Sequence, residues 1–212
     1  MKEFSIVLPT DWHLINLTKD LPTQVTRFVH KRLSGVPERQ AVLVRSRLSS
    51  AVEQVATSLA AGGAVALVIA ASSQAGLTEW PSMVVLPLSI PEGQEPLDLL
   101  LAVAGTDPTA TAVDIGDLVS IRMNASVDAT VAVNSSLDEA AALTGAELGT
   151  DASGLSAIRH RVRYLLGDPG DPGRWADVAF TITGTSLPGS EEECTGAVEL
   201  FDTAMQSFRW VS

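Results

Sequence analysis

The sequence predicts an α+β fold, a mostly antiparallel β-sheet packed by helices, and three observations carry that prediction. The first is a strict alternation in which Ile158, His160, Val162 and Tyr164 interleave with Arg159, Arg161 and Arg163, the two-residue period of a strand with distinct faces. A reversal follows at Gly167-Asp168-Pro169-Gly170-Asp171-Pro172-Gly173, and then Val178, Phe180 and Ile182 alternate with Asp177, Ala179 and Thr181. Prolines and glycines supply turn conformations and cannot continue a ladder, so the pair reads as an antiparallel hairpin with an apolar inner face and a basic face toward water. The second observation is the helix expected after it. Glu191, Glu192 and Glu193 put negative charge where a helix N-terminus favours it, and Ala197, Val198, Phe201, Met205 and Phe208 recur at three- and four-residue spacing. The third is element order. Strands, helices, strands, a helix, strands and a helix succeed one another without the regular β-α alternation of a parallel doubly wound sheet.

Taken from the start, Phe4 to Leu8 and Trp12 to Leu17 are short apolar runs separated by Pro9-Thr10-Asp11, which reads as strand, turn, strand. Pro22 and Thr23 open a helix through Val25, Phe28, Val29 and Leu33 that stops at Gly35. A second helix runs from Pro37 to Gly62-Gly63, with Leu43 or Val44, Leu48, Val52, Val55 and Leu59 forming its stripe. No charged residue occurs between Glu53 and Glu79, but Thr57, Ser58, the glycine pair, Ser72, Ser73 and Gln74 interrupt the run of roughly 20 apolar residues that a membrane span needs. Ala64 to Ala70 reads instead as a strand buried on both faces. Met83 to Ile90 is a further strand, placed at a sheet edge because Pro87 lacks a ladder donor. Pro96 to Ala104 predicts a helix, Ala112 to Ile115 a short strand, and Val119, Ile121, Met123 and Ala125 a longer one against Ser120, Arg122 and Asn124. Asp138 to Gly154 is weakly patterned and reads as loop. One domain over residues 1–212 is expected.

Net charge is -11, with 18% charged and 46% hydrophobic residues. That balance suits a compact protein and opposes a nucleic-acid partner, since phosphate binding needs clustered positive charge. One cysteine, Cys194, excludes an intrachain disulfide and a cysteine zinc cluster. The N-terminal apolar run is too short for a signal peptide, so cytoplasmic residence without membrane insertion is the expectation.

Catalytic motifs are missing. Ala61-Gly62-Gly63-Ala64 has neither dinucleotide-loop spacing nor a phosphate-binding lysine, and there is no G-x-S-x-G elbow or H-E-x-x-H. His13, His30 and His160 are far apart in sequence. No cofactor and no metal is expected: the loop from Asp168 to Arg174 offers two aspartates where calcium needs six or more oxygens. Cys194, beside three glutamates, reads as an inert thiol. Two features stand above that background. Arg159, Arg161 and Arg163 are neighbours about 6.6 Å apart along one strand face, either paired with cross-strand carboxylates or free to dock an acidic protein partner. His160 and Tyr164, on the inward face, are the candidate lining of any pocket between sheet and helices. Trp12, Trp80, Trp175 and Trp210 read mainly as core, with Trp80 and Trp210 at element ends.

The short strands around Leu8-Pro9 and Trp12, the antiparallel sheet, and the strand-loop-strand-helix ending in Glu199-Leu200-Phe201-Asp202 through Ser207-Phe208-Arg209-Trp210 resemble the PsbP/Mog1-like α/β/α sandwich group, in particular its actinobacterial members. The resemblance implies a fold with binding and accessory roles, a link to actinobacterial secretion and no shared catalytic machinery. No site motif is carried over, and the cysteine of exported lipoprotein members is missing. The sequence therefore points to a non-catalytic protein-binding or accessory domain. The alternative is a small-molecule binder or enzyme using a pocket at His160 and Tyr164.

Overall fold

A computed structural model describes residues 3–34, 37–70, 80–90, 95–144 and 155–211. Its centre is a seven-stranded sheet in which every neighbouring pair is antiparallel. The strands are β2 (Trp12–Asn16), β3 (Ala66–Ala70), β4 (Ser82–Leu88), β5 (Thr111–Ala112), β6 (Val119–Asp128), β7 (Ala157–Asp168) and β8 (Asp171–Thr185), in the spatial order β2-β3-β4-β8-β7-β6-β5. A separate ribbon pairs β1 (Phe4–Ser5) with β9 (Arg209–Trp210). The helices are α1 (Leu21–Arg32), α2 (Glu38–Ala61), α3 (Pro96–Thr106), α4 (Thr130–Thr144) and α5 (Ser190–Met205).

The β7–β8 hairpin is the longest pairing, turning tightly at Pro169-Gly170 between Asp168 and Asp171. Its inner face is the predicted one from Val162 onward, where Val162, Tyr164, Leu166, Val178, Phe180 and Ile182 are all buried, but Ile158 at the start of the strand is exposed. On that face lies α5, whose Cys194, Phe201 and Met205 close the core together with Phe208 just beyond the helix. Phe201 stacks on Phe180 with ring centroids 4.7 Å apart, and burying side chains of this size contributes about 1.5–3 kcal/mol each. Gly189, at φ 85°, starts α5 in a left-handed conformation open to glycine. Gly184 beneath it has no Cβ because one would lie 2.6 Å from Cys194 Sγ.

The opposite face of the sheet is covered too, so the hairpin's outer side does not simply face water. Ile15, Leu67 and Ile69 meet Val25, Phe28 and Val29 of α1 and Val52 and Ala56 of α2. Leu165 and Trp175 meet Leu100 of α3. The second layer follows from β3, buried at all five positions, which leaves it no face for solvent. Both faces carry helices, which is the α/β/α layering of an α+β fold.

Two expectations are corrected. β4 is not an edge strand, because it pairs with β3 on one side and β8 on the other. Pro87 is tolerated because ladder groups alternate sides: Pro81 and Val85 bond toward β3 through their carbonyls, so Pro87 also points that way, past the last paired position of β3 at Ala66. The stretch from Asp138 is not loop as far as Thr144, since it continues α4. That helix docks through Val133 and Leu137, with Ala129 and Ala157 beneath them. The predicted helix stop at Gly35 and the remainder of the weakly patterned stretch, 145–154, lie outside the described residues. Among the described residues no helix is long and apolar enough to cross a membrane.

Candidate functional site at the α5 cleft and the open end of β6

β6 and β7 pair over ten positions, from Val119↔Gly167 to Asp128↔Ile158. In that ladder the polar phase of β6, Arg122, Asn124 and Ser126, lies on the same side as Tyr164, Val162 and His160, under α5. Arg122 reaches Asp202 of α5 through Nε and an Nη, each 2.9 Å from a carboxylate oxygen, and Tyr164 donates its hydroxyl to the same carboxylate at 2.7 Å. Burial, reinforced by the Asp202 carboxylate, pushes the Tyr164 hydroxyl well above its ordinary range. It is a fixed donor, not a titrating group.

Beyond this clamp α5 and the two strands separate. They leave an open cleft of about 440 Å³ bordered by Asn124, Ser126, His160, Glu191, Thr195 and Glu199. His160 Nδ1 lies 3.0 Å from Ser126 Oγ. A nucleophile needs a base that is itself oriented by a third group, and no carboxylate bond to His160 is recorded among the described residues. The pair is a hydrogen-bonding surface of the cleft. Cys194, at the cleft floor, is buried. Burial first, and the Glu193 charge second, push its thiol up, which agrees with an inert thiol.

The outer edge of the sheet at β6 is only partly closed. Odd-numbered residues bond to β7, as Ala129 N–H does to Ala157, so the even-numbered ones present their backbone groups outward. Ser120 and Arg122 are taken by Val113 and β5. At Asn124 the Thr109 hydroxyl replaces a strand: it accepts from Asn124 N–H at 3.0 Å and sits 2.9 Å from the Asn124 carbonyl oxygen. Past that point Ser126 and Asp128 have no backbone partner on the outer side among the described residues, and the whole stretch from Asn124 to Asp128 is exposed. At the other edge of the sheet, β2, the Gln24 carboxamide accepts from Asn16 N–H at 2.8 Å and donates to Asn16 C=O at 2.9 Å, while Pro9 C=O takes Trp12 N–H.

Comparison with known proteins adds little. No protein-family model and no curated protein matches the sequence. Among solved structures the crystal structure of LpqN, involved in cell envelope biogenesis of Mycobacterium tuberculosis, is similar at 8% identity and a TM-score of 0.44, over 100% of this chain and 85% of that one. At that level neither function nor site residues pass between the two chains.

The three arginines do not form a uniform comb. Arg163 pairs with Asp177 across the hairpin through Nε and an Nη, and Arg159 Nε donates to the buried Thr183 hydroxyl at 3.2 Å. Arg161 is exposed and has no carboxylate partner among the described residues. It borders the cleft, its side chain leaving β7 on the pleat opposite His160. His160 and Tyr164 share a face but not a role, since His160 lines the cleft and Tyr164 lies beneath it, 2% exposed. The Asp168 and Asp171 carboxylates face Arg174, at 3.1 and 3.7 Å. No group of three or more metal-ligating side chains occurs among the described residues. Trp12 and Trp175 are buried as expected. Trp80 carries Arg32 over its ring at 5.0 Å, and Trp210 packs on Phe208.

Sequence reasoning missed Arg122, Asp202, Glu191, Glu199 and Ser126. For Arg122 and Ser126 the only signal was the polar phase of β6, which reads as a solvated face until α5 is laid over it.

Proposed function

We propose that this chain is a non-catalytic protein-binding or accessory domain, a single unit over residues 1–212, and that its binding surface is the cleft between α5 and the free end of β6. The observation that carries the reading is the free end of β6: past Thr109, the outward backbone groups of Ser126 and Asp128 have no partner among the described residues and stand beside a charged cleft. Sheet edges invite pairing and are closed where pairing is harmful, so an edge left open next to Arg161, Glu191 and Glu199 suits recognition. Membership of the PsbP/Mog1-like group, a cytoplasmic location and a link to secretion belong to the same proposal and rest on the sequence resemblance and composition.

Replacing all three arginines is an unclean test, because losing Arg163 leaves Asp177 buried and unpaired. The better variants are Arg161→Glu and Glu199→Lys, both at exposed positions. Each is expected to reduce capture of a protein partner from source-cell extract at least fivefold with an unchanged melting temperature. Capture equal to wild type removes the cleft from the account.

A further inference from the structure

Resting on that binding role, we infer that the open end of β6 takes an extended peptide as an added strand, and that this peptide alternates basic and acidic residues along its length. The backbone supplies the first half of the argument. Ser126 and Asp128 each present an outward N–H and C=O, four hydrogen-bonding groups in register with one another. Only another extended backbone matches that spacing. The exposed run Asn124–Asp128 is five residues, about 16 Å at the rise of a strand, which suits a short segment.

Charge supplies the second half. A strand added outside β6 sends successive side chains to opposite sides of the sheet. On the α5 side they meet Glu191 and Glu199 across the cleft, with Asn124, Ser126 and His160 on its floor; Asp202 and Arg122 neutralise one another there. On the other side they meet Ala125 and Val127, which are exposed, and the guanidinium of Arg161 on the neighbouring strand. One side is negative and the other positive, so the matching strand carries Lys or Arg at one parity and Asp or Glu at the other. A segment acidic throughout would place half its charges against Glu191 and Glu199.

Thr109 marks where strand addition stops. Its hydroxyl occupies Asn124, and its single proton is shared between the Asn124 carbonyl and Asp107 Oδ1 at 2.7 Å. Removing that hydroxyl frees two more backbone groups and lengthens the available edge.

The test uses two blocked, fluorescent six-residue peptides of one composition, Lys-Glu-Lys-Glu-Lys-Glu and Lys-Lys-Lys-Glu-Glu-Glu, titrated against the full chain. The alternating peptide is expected to bind at least tenfold more tightly than the block peptide. Ser126→Pro, which removes the outward N–H, is expected to abolish that preference, whereas Ser126→Ala, which keeps the N–H, is expected to retain the preference for the alternating peptide. Thr109→Val is expected to strengthen binding severalfold, and melting curves verify that each variant is folded. Equal binding of the two peptides, or binding indifferent to both Ser126→Pro and Thr109→Val, overturns strand addition. If neither peptide binds while partner capture still depends on Arg161 and Glu199, strand addition fails and the binding role stands. If capture is indifferent as well, both fail.

Discussion

Arg122 and Asp202, 80 residues apart in sequence, are joined by two 2.9 Å hydrogen bonds that pin α5 to β6, and Tyr164 completes the junction from β7. The clamp sets where the helix leaves β6, and therefore where the cleft opens. Asp202→Ala should leave a half-buried guanidinium and a buried hydroxyl without their acceptor. We expect a loss of about 3 kcal/mol, at the low end for breaking a buried pair because the Arg122 and Asp202 side chains retain some solvent contact. Arg122→Met, which removes the charge with its bonds, should cost less. Urea denaturation of the two variants measures the difference.

The close approach of α5 to β8 depends on Gly184. A Cβ there would stand 2.6 Å from Cys194 Sγ and 3.0 Å from Ser190 Oγ, so Gly184→Ala forces the first turn of α5 outward. The expected cost is about 1–3 kcal/mol, typical of overpacking. Cys194→Ala in the same chain should recover part of it, and thermal melts of the single and double variants report the coupling.

Gln24 guards the other edge of the sheet. Gln24→Ala frees the Asn16 N–H and C=O on β2, beside the exposed Leu14. The variant is expected to self-associate at concentrations where the wild type does not, and to lose about 1 kcal/mol for each hydrogen bond removed. Light scattering against concentration detects the first effect and denaturation the second.

His13 introduces a pH dependence. Its ring packs edge-on against Phe28 at 5.7 Å, and Nε2 is buried without a hydrogen-bond partner among the described residues. Burial first and Lys31 second lower its pKa below 6.5, against an opposing pull from Asp11. The unfolded chain therefore takes up a proton at higher pH than the folded one. The His13 contribution to stability is fully present above pH 6.5 and declines as pH falls through 6.5 toward the folded value. His13→Phe should remove that part of the decline, seen as a smaller shift of the urea midpoint between pH 7.5 and 5.5 than in the wild type.

Much of the fold was legible because its elements bury continuous stripes. α1, β3 and the β7–β8 hairpin follow their periodicities to within a few residues; α2 keeps its bounds but packs through Val52 and Ala56, while the predicted Val55 is exposed. α4 escaped because its stripe is thin: Val133 and Leu137 make its contacts, while Val131 is 84% exposed and breaks the pattern. The misplacement of β4 came from reading Pro87 as a property of the whole strand, when only the end past β3 lacks a neighbour. The candidate site was less legible for a different reason. Arg163 and its neighbours could be seen on one face, but whether a guanidinium is paired depends on register, which places Asp177 beside Arg163 and leaves Arg161 opposite Ala125 and Thr181. Nor does any local pattern join Tyr164 to Asp202 or reveal that Thr109 closes the edge at Asn124.

Amide hydrogen exchange at Ser126 and Asp128, in the free protein and in complex with a captured partner, tests the binding role of the β6 end most directly. The account predicts rapid exchange at both amides in the free chain, slow exchange at Ile121 and Met123, and at least tenfold slowing of Ser126 in the complex. Protection of Ser126 already in the free protein, or exchange unchanged on partner binding, would contradict it.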